Sequence, residues 1–162
     1  MVHFVILVLI SMWIIGLSAF YFGRNIKYYG KKLKNTKDYL DNIIENANDI
    51  IYILDKNGNF KLVNKKAEEI TGYRREELIG KHFTEVLAPE YLNRTIDKFE
   101  RKMRGEASPQ TYETEIITKY GKRVLLELNI TTIKENGKIV GVQGIARDIT
   151  EKKKLENEIK RL

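Results

Sequence analysis

The 162-residue chain has no cysteine, only two histidines, and no acidic residue before Asp38. Without cysteine it has no disulfide, zinc–thiolate site, iron–sulfur cluster or thiol nucleophile. Residues 4–22 carry no charge, and residues 24–37 carry six Lys or Arg and no acid, whereas residues 38–162 hold 23 basic and 22 acidic residues. The net charge of +7 is therefore one local cluster, which argues against a nucleic-acid-binding groove.

The uncharged run, residues 4–22, reads FVILVLISMWIIGLSAFYF. As a helix it would be about 28 Å long, close to the thickness of the hydrocarbon core of a bilayer, so we predict a transmembrane helix at residues 1–23. A cleaved signal peptide is the alternative, but it requires basic residues before a shorter apolar core, and here the cations follow the run. The positive-inside rule then predicts a single-pass protein of the inner or cell membrane, with a short N-terminus outside and the remainder in the cytoplasm.

Residues 24–47 are predicted to form a basic, helical linker. Its cluster at 24–37 directly follows the apolar run, which favours contact with lipid headgroups over nucleic acid. Apolar side chains recur along the linker at alternating three- and four-residue spacing, as in a two-helix coiled coil, at Ile26, Tyr29, Leu33, Leu40, Ile43, Ala47 and Ile50. This pattern predicts a homodimer seam, and the alternative is a single amphipathic helix on lipid or on the next domain.

Five strand patterns lie further along the chain, at residues 49–55, 59–64, 111–118, 123–133 and 138–149. Asn57-Gly58 and Asn136-Gly137 are typical of tight turns between antiparallel strands. Apolar and polar residues alternate cleanly along 123–133, so we expect one face of the sheet to be buried. Short helical patterns fill residues 65–105, and these helices are predicted to cover the buried face, which makes the fold class α+β.

Four motifs occur in order along residues 38–154: Asn64 followed by AEEITGY, then REELIGK at 75–81, LAPE at 87–90, and G-x-x-R-D-I-T-E-K-K at 144–153. In this order and spacing they resemble a PAS sensory domain. The resemblance implies a PAS fold at residues 48–150, with a five-stranded antiparallel sheet and short helices on one face. It departs from the family at Ala67, where a bulky aromatic residue is common.

The resemblance also implies a ligand cavity between the sheet and the helices. The residues that we expect to line it are Ile53, Ile70, Leu78, Phe83, Leu126, Leu128, Ile130 and Val142. Fold-specifying positions are Asn64, Gly72, Tyr73 and Gly80. A signal is expected to leave through the last strand and a tail helix at 151–162, along Asp148, Ile149, Thr150, Leu155, Ile159 and Leu162, with Thr150 capping the helix.

The sequence excludes some cofactors without naming one. Adduct-forming flavin photochemistry needs a cysteine, and Phe83 stands at the position that aligns with it. Haem is not expected, because the long helical segment 90–104 has no histidine to serve as an axial ligand. His82 is predicted to close a short helix by hydrogen bonding, and no His, Asp and Glu cluster has the spacing of a metal site.

No catalytic motif is present: the chain has no phosphate-binding loop, no kinase motif and no Ser–His–Asp set. We therefore predict no enzyme on this chain. One interpretation is the sensory part of a histidine kinase in a two-component system, whose transmitter domain would lie beyond residue 162. The other is a stand-alone membrane adaptor that works by dimerisation or partner docking without a ligand.

Overall fold

The computed structural model describes residues 1–161, and their side chains except those of residues 3–5. The predicted exit residue Leu162 lies outside this part of the chain. Two 3-10 helices, Phe83–Val86 and Pro89–Tyr91, precede α4. The other elements, in order, are α1 (Val2–Glu45), β1 (Ile50–Asp55), β2 (Phe60–Val63), α2 (Lys65–Thr71), α3 (Arg75–Leu78), α4 (Leu92–Met103), β3 (Thr111–Ile117), β4 (Arg123–Glu135), β5 (Lys138–Asp148) and α5 (Thr150–Arg161).

The chain divides into two units, residues 1–43 and the residues from 44 onward. The first unit is most of α1, which is long and apolar enough to cross a membrane. Ser11 and Ser18 donate their hydroxyls to carbonyls one turn back, at 2.8 Å each, so neither leaves an unpaired donor on the apolar surface.

The helix ends earlier than the predicted coiled-coil seam. α1 stops at Glu45, so Ala47 lies outside it and Ile50 is the first residue of β1. A long-range contact fixes this helix end: the side-chain amide of Asn64 donates to the carbonyl of Ile44 at 3.0 Å, which also accepts the N–H of Ala47 at 3.4 Å. The seam prediction is therefore wrong at its C-terminal end.

The second unit is built on a five-stranded antiparallel sheet in the order β2-β1-β5-β4-β3. β1 and β5 are neighbours, so the first and last strands of the domain pair at the middle of the sheet. Helices α2, α3 and α4 pack on one face, over a core that includes Leu54, Leu78 and Val142. The predicted α+β architecture, with alternating burial along β4, is confirmed.

Of the two predicted tight turns, only the second has the expected two-residue geometry, because Asn57-Gly58 lies in a four-residue connection, residues 56–59, where Gly58 has positive φ and Asn57 does not. Asn136 and Gly137 both adopt positive φ, at 50° and 79°, which is the two-residue hairpin geometry expected between β4 and β5. Gly72 ends α2 with φ 75°, and a Cβ there would approach the ring of Tyr120 to 2.7 Å. Glycine at this position therefore satisfies both a left-handed backbone and a close side-chain contact.

His82 begins a helix instead of closing one. It precedes the 3-10 helix Phe83–Val86, its ring nitrogen Nδ1 lies 2.7 Å from the hydroxyl of Thr84, and its ring stacks on Phe83 at 4.6 Å. The carboxylate of Glu85 accepts the backbone N–H of His82 at 3.1 Å, which completes a reciprocal cap. His82 hydrogen-bonds locally, as predicted, but it begins the following short helix and does not end the preceding one.

Candidate ligand cavity and signal exit

An apolar cavity of about 80 Å³ lies between the sheet and the helices. All five strands contribute to its floor, and α2, α3, α4 and the 3-10 helix at 83–86 cover it. Six of the eight predicted cavity residues line it, namely Leu78, Phe83, Leu126, Leu128, Ile130 and Val142.

Ile53 and Ile70 do not line the cavity. Side chains alternate along β1, and Tyr52 and Leu54 face the cavity, so Ile53 faces the other side of the sheet. On α2 the inward positions are Ala67 and Thr71, one turn apart, and Ile70 packs at the edge of the core instead. Both assignments to the cavity were therefore wrong, each by one position.

Most polar groups of the cavity wall are weakly paired or unpaired. Thr71 is the exception, because its hydroxyl donates to the carbonyl of Ala67 at 2.7 Å. The hydroxyls of Thr95 and Thr114, in contrast, lie 3.3 Å apart. Burial raises the pKa of Tyr112 to about 12, and burial together with Tyr112 raises the pKa of Tyr52 further. Both phenols are therefore neutral hydrogen-bond donors at any physiological pH.

The remaining polar wall residue is Lys102, on the last turn of α4. Burial lowers the pKa of its ammonium group, because the charged form loses hydration. Lys102, Tyr52 and Tyr112 are cavity residues that the sequence pattern did not predict. A signal for Lys102 was present, since it follows Thr95 and Phe99 at four- and three-residue spacing and so continues their inward stripe.

Asn64 ties the beginning of the domain together. It is completely buried, and its amide donates to the carbonyls of Ile44 and Asp49, both at 3.0 Å. Its side-chain oxygen accepts the N–H of Ile51 at 3.0 Å and that of Ala67 at 3.3 Å. One side chain thus joins the end of α1, the start of β1 and the first turn of α2.

Two further contacts lie at the start of the domain. The guanidinium of Arg75 on α3 forms an ion pair with Glu45, the last residue of α1. The carboxylate of Asp49 accepts bidentate hydrogen bonds from the guanidinium of Arg147, near the end of β5, and the shortest is 2.9 Å. The chain thus enters and leaves the domain at points that are directly bonded to each other.

The exit into α5 is fixed on β4. The N–H of Ile149 donates to the carbonyl of Leu125 at 2.9 Å, and the N–H of Leu125 donates to the hydroxyl of Thr150 at 2.9 Å. The carboxylate of Asp148 accepts the N–H of Thr150 at 2.9 Å. Thr150 was predicted to cap α5, but Asp148 does so, and Thr150 holds the helix start to the sheet.

Beyond this point, Leu155 and Ile159 are exposed on α5. The ammonium of Lys153 lies 2.8 Å from the carboxylate of Glu113 on β3, which raises the pKa of Lys153. The first turn of α5 is therefore attached to the domain, and its predicted apolar exit residues face solvent. No group of three or more potential metal ligands occurs in the described part of the chain.

Comparisons with known proteins agree with this geometry. A family model described as the PAS fold matches residues 38–149, well over half of the chain. The histidine kinase AtoS of Escherichia coli K12 is 26% identical over 141 residues, which cover 85% of this chain and 22% of that protein. The methyl sulfide methyltransferase-associated sensor of Methanosarcina acetivorans is 30% identical over 125 residues, covering 76% of this chain and 12% of that sensor. The chain thus spans less than a quarter of the length of these curated relatives.

Solved structures show the same fold. The PAS domain of an HTR-like protein from Haloarcula marismortui superposes with a TM-score of 0.61 at 23% identity, covering 76% of this chain and 99% of that domain. A PAS domain from Colwellia psychrerythraea gives a TM-score of 0.63 at 25% identity, covering 72% and 98%. The chain therefore belongs to the PAS-fold family, and it carries a sensory domain of the kind found in histidine kinases and other signal-transduction proteins.

Proposed function

We propose that the chain is a membrane-anchored cytoplasmic PAS sensor that detects a small ligand and passes a conformational signal through α5 to a histidine kinase transmitter. Catalysis would then reside outside this segment. The observation that carries the proposal is an apolar cavity whose floor includes β4 and β5, the two strands to which the start of α5 is bonded.

The size of the cavity limits the ligand. An engineered apolar cavity of about 150 Å³ takes up benzene, whereas pockets for drug-sized ligands measure about 300–1,000 Å³. The cavity here, at about 80 Å³, suits a ligand of a few heavy atoms without rearrangement. A larger ligand would have to push α4 or α2 away from the sheet, and such a movement is itself a way to produce a signal.

The proposed route runs from the cavity floor to the helix start. Leu126 and Leu128 line the cavity, and Leu125, next to them on β4, holds Ile149 and Thr150. A shift of β4 would move the start of α5 because two short hydrogen bonds, each 2.9 Å, connect them, and a third of 2.9 Å joins Thr150 to Asp148 at the end of β5. Leu155 and Ile159 would carry the movement to a partner helix.

For membrane attachment we propose α1 as the anchor, with the basic residues 24–37 on anionic headgroups and residues 44 onward in the cytoplasm. We further propose a homodimer, because α1 and α5 both display regularly spaced apolar side chains such as Leu33, Leu40 and Leu155. The same exposed side chains favour the second candidate function, an adaptor that docks partners without a ligand.

The test is a fusion of the full chain to a histidine kinase transmitter domain, reconstituted in liposomes, with autophosphorylation as the readout. Thr150→Val removes the acceptor for Leu125 and keeps the side-chain shape, so the rate should change about two- to tenfold, in line with the loss of one hydrogen bond. Asp148→Ala should act in the same way. Thr111→Val, the same chemical change at an exposed position of β3 that does not line the cavity, is the matched control.

A cavity-filling variant separates the two candidate functions. Ala67 is buried and lines the cavity, and Ala67→Leu would place extra carbons where a ligand would sit. A changed autophosphorylation rate supports ligand sensing. If Ala67→Leu matches the parent while Thr150→Val does not, the adaptor function is favoured; if both match the parent, the route through α5 is wrong.

A further inference from the structure

A second, polar cavity of about 300 Å³, partly open to solvent, lies next to the apolar one. The end of α4, the segment at residues 105–110 and strands β4 and β5 line it. Lys102 and Ile130 line both cavities, so the two spaces meet at these side chains. A molecule that occupied both would have its apolar part against the core and its polar part beyond Lys102.

The Lys102 side chain is mostly buried, but its ammonium group is not fully enclosed, and it has no counter-charge among the described residues. It is 7% exposed, and within residues 1–161 no carboxylate or other hydrogen-bonding group is paired with its ammonium. Burial alone accounts for its lowered pKa, with no charge of either sign contributing. An unpaired ammonium group on the wall shared by the two cavities is available to an anionic ligand.

A second unsatisfied donor lines the same polar cavity. The hydroxyl of Ser108 is buried and has no hydrogen-bond partner among the described residues. The only acid among the described residues that line this cavity is Glu106, which is already held by Arg104 at 2.5 Å and Arg101 at 3.6 Å. Glu106 is therefore committed elsewhere, while Lys134 adds another positive charge to the wall.

We infer that the junction of the two cavities binds a small amphiphilic carboxylate. Its carboxylate would lie on Lys102 and Ser108, and its short alkyl tail would fill the apolar cavity between the sheet and α4. This inference rests on the proposed ligand-sensing function and names the chemical class of the ligand. A charged hydrogen bond and burial of the tail would then act together, and neither a purely apolar nor a purely ionic molecule would use both cavities.

The test compares hexanoate with 1-hexanol, which has the same tail and no charge. Isothermal titration calorimetry is performed on the full chain in lipid nanodiscs, with empty nanodiscs subtracted to remove partitioning into lipid. We expect hexanoate to bind at least about tenfold more tightly than 1-hexanol, since a hydrogen bond to a charged group is worth that factor or more. Equal affinities, or no binding of hexanoate, would overturn the inference.

Variants locate the anion site. Lys102→Met keeps the apolar stem and removes the charge, and it should weaken hexanoate about tenfold or more while leaving 1-hexanol within about twofold. Lys98→Met is the matched control, because Lys98 lies on the same helix over the ring of Tyr112 and does not line the apolar cavity. Ser108→Ala, a change outside the core, should weaken hexanoate about threefold.

The outcomes separate this inference from the function on which it rests. If 1-hexanol binds and hexanoate does not, the anion site is wrong and apolar sensing stands. If hexanoate binds equally well to the parent and to Lys102→Met, the carboxylate lies elsewhere and the inference fails. The proposed signal route is judged separately, by the kinase activity of Ala67→Leu and Thr150→Val.

Discussion

The cavity and the junction, defined here as Asp49, Asn64, Arg147, Asp148 and Thr150, use polar groups in opposite ways. In the junction the side chains are paired, mostly with backbone groups at 2.9–3.3 Å, and they fix where the chain enters and leaves the domain. In the cavity, Lys102 is unpaired among the described residues, and the Thr95–Thr114 contact is long at 3.3 Å.

This difference suggests how a sensory domain separates its two tasks. A fully paired polar network has one favourable arrangement, so it transmits a displacement without absorbing it. An apolar cavity with few hydrogen bonds in its wall can accept different ligands with a small loss of free energy. In this chain the junction would therefore carry the displacement, whereas the cavity would decide what is detected.

The largest effect is expected at Asn64. Asn64→Ala would leave the carbonyls of Ile44 and Asp49 and the N–H of Ile51 without their partner, and we expect a loss of about 4 kcal/mol in the free energy of unfolding. Hydrogen exchange of the β1 and β5 amides in the full chain measures it. Asn59→Ala is the control, because the Asn59 amide makes one contact, at 3.4 Å to Asp55. A loss below about 1 kcal/mol at Asn64 would contradict its role as the tie between elements.

The next effect tests the two faces of β1. Leu54 lines the cavity and is buried, and Leu54→Ala should cost about 3 kcal/mol through lost burial and an enlarged cavity. Ile53, its neighbour on the outer face, is half-buried, and Ile53→Ala should cost about 1 kcal/mol. Thermal unfolding by calorimetry compares them. Equal losses would mean that both faces of β1 are packed alike.

The Ile53 error shows what the sequence can and cannot determine. In β4, apolar and polar residues alternate, and the inward residues Leu126, Leu128 and Ile130 follow from the pattern alone. In β1 the residues from Ile50 to Leu54 are all apolar, so a period of two cannot say which set faces the helices. The registry between β1 and its neighbours decides it, and that is a long-range property.

The same limit applies to side chains whose role depends on a distant partner. Asp148 and Thr150 were correctly placed at the end of the last strand, but which of them caps α5 depends on Leu125, 25 residues before Thr150. Lys102 was missed because a lysine on a charged helix is usually exposed. Only the position of the helix over the sheet reveals that this one is buried.

The smallest effect is expected at the ion pair between Asp49 and Arg147, which links the entry of the chain to its exit. Arg147 is exposed, so solvent and salt screen the pair, although its two-pronged geometry favours some net attraction. Asp49→Asn should lower the unfolding temperature slightly at low ionic strength, and the difference from the parent should shrink as salt is added. Asp41→Asn, a change to an exposed acid on α1, is the control for net charge. A drop in the unfolding temperature of Asp49→Asn that is large and independent of salt would show that the carboxylate acts through packing or backbone contacts. The entry and exit of the chain would then be held more firmly than an exposed ion pair implies.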